Sequence, residues 1–447
     1  SAGAQFGYSV AAAGDVNGDG LQDVIIGMPG NDTTTGGAVV LFGRPSPSAT
    51  INTNTMTDGF AIHGGGGMGL TGRSVVGIGD VNGDGLSDLA VGAPGENRVY
   101  IIYGKTDSTA IYLGTLLTTG PNAEGAIIET SVASALGWNV AALGDFNGNG
   151  STDIIIGSPD MGAGSGFIVD GSNLSGIFNL SSNGDRIVVS GANADMKLGT
   201  TVSALGDFNG DGLADAAIAS KEGVYILFGN NSAADIDVAA FRDGTASGGG
   251  LFLDAGSMAS LHGPSVSSAG DLNGDGRSDI LVGFNDADGG FGRTYVIYGR
   301  SSSIPIPLAA VSTGALGFAI EGDDRNGVFG TSVAAAGDVN DDGYDDLVIG
   351  SPGAGGQAGA YVLFGSSDGP FAATTSVEYE GTSDPDTFNS DGVGTTMMGR
   401  GGNDVLYMTG PDSVGYGGAG DDTFIVHPSF LGSLASPDPN APRSSRI

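Results

Sequence analysis

The sequence predicts an all-β protein laid out as a β-propeller of repeated blades, and three observations carry that prediction. An acidic loop of the form Asp-x-Asn-x-Asp/Asn-Gly-x-x-Asp recurs six times at nearly constant spacing. Short apolar runs of β type, such as Val24-Ile25-Ile26 and Val99-Tyr100-Ile101-Ile102-Tyr103, alternate with Asn-Gly and Asp-Gly turn pairs. No long amphipathic helical pattern interrupts them, and the 85 glycines fit a chain that turns often.

Each element of the repeat follows in order. The first aspartates of the loops are Asp15, Asp80, Asp145, Asp207, Asp271 and Asp338, at intervals of 65, 65, 62, 64 and 67 residues. Nine residues before each lies a Phe-Gly-like pair: Phe6-Gly7, Thr71-Gly72, Leu136-Gly137, Leu198-Gly199, His262-Gly263 and Phe329-Gly330. After the loop an apolar strand ends in Gly-x-Pro in four units, at Pro29, Pro94, Pro159 and Pro352, while units four and five lack the proline. A second strand ends in glycine, as in Val39-Val40-Leu41-Phe42-Gly43, and a further short one follows, as in Phe60-Ala61-Ile62-His63-Gly64. With the segment before the loop, each unit holds about four strands, the content of one propeller blade. The period exceeds the ~40–50 residues of common propeller repeats, and the acidic loop plus a variable outer loop account for the excess.

Composition narrows the function. Fifty acidic side chains face 15 basic ones, a formal net charge of −35, so nucleic acid and anionic membrane surfaces are poor partners. A hydrophobic fraction of 40% is enough for a buried core despite that charge. Cysteine is absent, so disulfides cannot staple the fold. No apolar stretch approaches the ~18 residues of a transmembrane segment. Ser1 opens directly into repeat sequence, so a secretory signal is expected to have been removed or never to have been N-terminal.

The loops point to a metal. Hard cations such as Ca²⁺ take six to eight oxygen ligands, and oxygens at alternate loop positions converge on one point. The first unit offers Asp15, Asn17, Asp19, the Leu21 carbonyl and Asp23, with Gly20 permitting the turn. The equivalents are Asp80, Asn82, Asp84, Leu86 and Asp88; Asp207, Asn209, Asp211, Leu213 and Asp215; Asp271, Asn273, Asp275, Arg277 and Asp279; and Asp338, Asn340, Asp342, Tyr344 and Asp346. Unit three has Asp145, Asn147, Asn149, Ser151 and Asp153, one carboxylate fewer, and is expected to bind most weakly. Turn chemistry alone explains Asn-Gly-Asp-Gly once, but not six times with the final aspartate always present. About six Ca²⁺ are therefore expected, which would take the formal charge from −35 to −23.

On these words the units resemble FG-GAP repeats, those of the integrin α-subunit N-terminal propeller and its bacterial relatives. The resemblance covers residues 1–380 as one propeller. Six repeats are counted where that family usually has seven blades, and both counts stay open. It implies that the calcium loops stiffen the blades while a partner engages loops on one face.

From residue 381 a nine-residue period takes over. Gly399-Arg-Gly-Gly-Asn-Asp-Val-Leu-Tyr407 and Gly417-Gly-Ala-Gly-Asp-Asp-Thr-Phe-Ile425 resemble the nonapeptide of hemolysin-type (RTX) calcium-binding β-rolls. Asp386, Asp404 and Asp422 lie 18 residues apart, one full coil, and are the tail's candidate metal ligands. The segment 381–428 is accordingly read as a short β-roll-like tail or, alternatively, a degenerate seventh blade, and residues 429–447 as a poorly ordered end. In the RTX family such tails accompany type I secretion, which implies an extracellular or cell-surface location.

No catalytic constellation is visible. The three histidines form no His-Glu-x-x-His, the Gly-x-Ser-x-Gly match at Gly365 to Gly369 lacks a strand-to-helix turn, and Trp138 is expected in the core. The reading is a calcium-binding surface, adhesion or assembly protein that binds an extracellular protein or glycan. The alternatives are a polysaccharide lyase or hydrolase on the same scaffold, and a self-assembling coat.

Overall fold

The computed structural model describes residues 5 to 365, apart from segments such as 45–57, 323–327, 340–344 and 354–358, and beyond them six strands between 379 and 426. The described residues to 365 form six successive β-sheets, one per repeat, and the longest helix among them is the four-residue turn Ala239–Arg242. The predicted blades are the observed ones.

Blade one shows the pattern. Its strands Ser9–Gly14, Asp23–Met28, Gly37–Leu41 and Gly59–His63 pair antiparallel in sequence order. The alternation of buried and solvent-facing residues in Asp23–Met28 is what a strand with one covered face requires. In blades two to five the second strand, for example Asp88–Ala93, is buried throughout because both of its faces are covered by neighbouring blades. The acidic loop joins the first strand to the second in every unit. Just before it, each first strand carries a register shift at a residue followed by glycine, as between Ala12 and Gly14 and between Gly77 and Gly79. These glycines adopt positive φ (79° at Gly14, 71° at Gly79), the geometry of a glycine bulge, which ends the ladder and turns the chain into the loop.

The hydrophobic core is not one mass but five, each lying between consecutive blades. Ile25, Val40 and Phe60 of blade one pack with Val75, Leu89 and Tyr100 of blade two, and the pattern repeats down to Leu281, Val296 and Leu347 between blades five and six. The first strands stand side by side from blade to blade. This stacking gives the repeated Gly residues their physical reason. A Cβ on Gly92 would meet the Gly137 carbonyl at 2.2 Å, and the same close approach joins Gly27 to Gly72, Gly157 to Gly199 and Gly283 to Gly330. The glycine ending one blade's second strand thus lies against the glycine of the next blade's Phe-Gly-like pair.

The outer loops, read in the sequence only as variable, supply a fifth strand. Ile111–Tyr112, in the connection of blade two, adds in parallel to the outer strand of blade one, and Ile177–Asn179, Ile236–Asp237 and Ile306–Pro307 do the same for blades two, three and four.

Among the described residues, no blade lies against one flank of blade one. Val10 is 61% exposed, whereas its equivalents Val75, Val140, Val202 and Val266 are 5–9% exposed against a preceding blade. Val24 is 38% exposed where Leu89, Ile154, Ala216, Ile280 and Leu347 are fully buried. On the opposite flank of blade six, Val339 and Val362 are likewise exposed.

The tail strands Thr387–Ser390, Val405–Met408 and Thr423–Val426 pair in parallel with an 18-residue register, as do Tyr379–Glu380, Thr396–Met398 and Val414–Tyr416. Asp386, Asp404 and Asp422 lie outside the described residues.

Candidate metal loops and binding face

Each of the first five acidic loops is closed by its own side chains. In the first, Asp15 accepts hydrogen bonds from the backbone N–H of Gly18 (2.8 Å), Asp19 (3.0 Å) and Gly20 (2.8 Å). Asn17 Oδ1 accepts from Asp19 N, Asp19 Oδ1 accepts from Leu21 N, and Asn17 Nδ2 donates to Asp19 Oδ2 at 3.0 Å. The loops at Asp80 and Asp207 repeat these bonds, and the loop at Asp271 repeats most of them. The structure therefore brings positions one, three and five of the first five loops together. In the sixth loop Asn340, Asp342 and Tyr344 lie outside the described residues, while Asp338 and Asp346 are described.

The ninth-position aspartate has a different place. Asp23, Asp88, Asp153, Asp215, Asp279 and Asp346 are all buried. Asp23 Oδ2 accepts from Val16 N at 2.8 Å and Oδ1 from Gly43 N at 2.7 Å, so its carboxylate ties the loop to the end of the third strand. The same tie runs from Asp88 to Gly104, Asp215 to Gly229, Asp279 to Gly299 and Asp346 to Gly365. Burial pushes five of these acids up: Asp23, then Asp88 and Asp153 (both to about 6), and Asp215 and Asp279 (both to about 7); the backbone N–H donors pull the other way, and neighbouring carboxylates add to the rise.

A hard cation fits this chemistry, since every donor offered is an oxygen and the fifth-position carboxylates, Asp19, Asp84, Asp211 and Asp275, are exposed. In the conformation described, the loops are held by hydrogen bonds, and among the described residues no three His, Cys, Asp or Glu side chains converge as a metal cluster.

The other end of the first strands forms a face of its own. The residue after the Phe-Gly-like pair lines a cavity of about 350 Å³ with Tyr8, Arg73, Trp138 and Thr200. Trp138 is half-buried rather than in the core: the Arg73 guanidinium lies 3.5 Å over its ring and donates to Tyr8 Oη at 2.6 Å.

Comparison with known proteins agrees with the fold. The FG-GAP repeat model matches residues 6–42, 71–113 and 329–363, and the FG-GAP-like repeat model matches 207–282. Integrin alpha-PS2 of Drosophila melanogaster is 33% identical over 170 residues, 35% of this chain and 12% of that protein. Integrin alpha-6 of Homo sapiens is 31% identical over 162 residues, 34% and 12%. Integrin alpha pat-2 of Caenorhabditis elegans is 32% identical over 189 residues, 37% and 14%. The match thus spans only about an eighth of the length of these relatives. No catalytic family is among these matches, and no helix among the described residues is long and apolar enough to cross a membrane. With its Phe-Gly pairs and second-strand glycines meeting across each blade boundary, the chain is an integrin-like, six-blade β-propeller of FG-GAP repeats.

Proposed function

We propose that this propeller is a calcium-stiffened binding module of the cell surface or extracellular space, which recognises an extracellular protein or glycan. The observation that carries this is the recurrence of one oxygen-rich loop at the same hairpin of every blade. Bound Ca²⁺ would supply positive charge where the loop carboxylates crowd, replacing the Asn17 amide contact to Asp19 and its counterparts. Asp15, Asn17, Asp19, the Leu21 carbonyl and Asp23, with their equivalents, would hold it. Likeness to integrin α chains supports an adhesion or binding role. The Tyr8, Arg73 and Trp138 face, at the opposite end of the first strands from the loops, is the candidate contact surface. The 18-residue parallel register of the tail supports an RTX-like calcium-binding roll and, with it, a type I export route.

Thermal melting with 2+ charge present or withdrawn tests the metal. Excess Ca²⁺ is expected to raise the melting temperature well above that in chelator, and equal melting in both would overturn the reading.

A further inference from the structure

Unit three departs from the other five at two positions, and the structure places the two departures against each other. Its loop has Asn149 where the others have aspartate, and its third strand ends in Asp170 where the others have an aromatic: Phe42, Tyr103, Phe228, Tyr298 and Phe364, each followed by glycine. Asp170 is the only acid at that position. It lies 21 residues along the chain from Asn149, yet Asn149 Nδ2 donates to Asp170 Oδ2 at 2.7 Å and Ser151 Oγ donates to Asp170 Oδ1 at 2.9 Å. Those donors are the fifth and seventh positions of the acidic loop.

The hydrogen bonding is re-routed to allow this. In the loops at Asp15, Asp80, Asp207 and Asp271 the third-position asparagine donates to the fifth-position carboxylate. In unit three Asn147 Nδ2 turns instead to Asp153 Oδ1 at 3.0 Å. In the same unit Gly171 N donates to the Thr152 carbonyl, whereas the corresponding glycine of the other blades donates to the ninth-position aspartate. The third strand also runs one residue longer, which makes Asp153 and Asp170 direct cross-strand partners. Two acids in register repel unless something positive sits between or beside them. Arg186 lines the same cavity of about 360 Å³, together with Asn147, Asn149, Asp153 and Asp185.

We propose that Asp170 replaces, from the neighbouring strand, the carboxylate that Asn149 removed, so that the third loop takes a Ca²⁺ ion with the same carboxylate count as its siblings. This rests on the calcium reading of the loops. It also withdraws the expectation that unit three binds most weakly, because that expectation counted only the loop.

The test uses the full chain, with CaCl₂ as the only ligand, read by calorimetric titration and by counting bound ions in native mass spectrometry. Asp170→Asn is expected to weaken one site by about 10- to 100-fold. The double variant Asn149→Asp with Asp170→Phe, which gives unit three the pattern of the other five, is expected to regain it. Melting in chelator separates ligation from packing: Asp170 also accepts from Ser172 N (2.9 Å) and Oγ (2.8 Å), so D170N should melt somewhat lower there, and lower by a clearly larger margin in excess calcium. Should the parent bind calcium while D170N titrates identically, or should D170N melt lower by the same amount with and without calcium, the proposal fails and the calcium reading stands. A parent that binds no calcium removes both.

Discussion

At the scale of the residue, the acidic loop contains two kinds of aspartate that its spelling does not separate. Asp211 is exposed, whereas Asp215 is buried and accepts from the backbone N–H of Phe208 (2.9 Å), Asn209 (3.0 Å) and Gly229 (2.7 Å). Asp215→Ala leaves three donors without partners, each costing about 1–3 kcal/mol when buried. It should therefore destabilise by at least about 3 kcal/mol in chelator as well as in calcium, by denaturant unfolding. Asp211→Ala should lower stability only when calcium is present. The buried acids also set a pH dependence for the metal-free protein. With Asp88 and Asp153 raised to about 6 and Asp215 and Asp279 to about 7, the folded state holds protons that the unfolded chain has released above about 4. Their stabilisation is present at low pH and is lost as pH rises through about 4 to 7. In chelator the melting temperature should fall from pH 5 to pH 8, and excess Ca²⁺ should remove that fall.

At the scale of the element, glycine has two jobs that substitution tells apart. Gly92 has ordinary φ but no room, with the Gly137 carbonyl 2.2 Å from its ideal Cβ; Gly85 has room but a φ of 90°. Gly92→Ala should cost about 3 kcal/mol by forcing two blades apart, and Gly85→Ala about 1 kcal/mol of backbone strain, both measured by equilibrium unfolding. The strands, the loop position and the six-fold repeat were legible because period-2 apolar runs and turn pairs are local signals. The glycine before every loop, Gly14-Asp15 through Gly337-Asp338, was a visible but unread sign of the bulge. The Asp170 contact to Asn149 was not legible from the loop, since the two meet only through strand pairing, though the missing aromatic at that position marked it. The parallel fifth strands gave no signal either: two-residue pairings such as Ile62 with Ile111 are set by the neighbouring blade's edge, not by propensity.

At the scale of the whole molecule, stability resides in the boundaries between blades. The same valine therefore matters by where its blade stands. Val75→Asp buries an unpaired charge between blades one and two and should cost about 4 kcal/mol, while Val10→Asp, on the flank that no described blade covers, should cost less than about 0.5 kcal/mol, by thermal or denaturant melts. The blade order itself also has a direction. Ile111–Tyr112 belongs to the second repeat but covers the outer edge of the first, and the same holds for the three boundaries that follow. During synthesis the blade that emerges earliest keeps an unpaired strand edge, open to association with other chains, until the next repeat has followed it. Each repeat in this way acts as the chaperone of the one before, and a chain halted between repeats would leave its last complete blade adhesive.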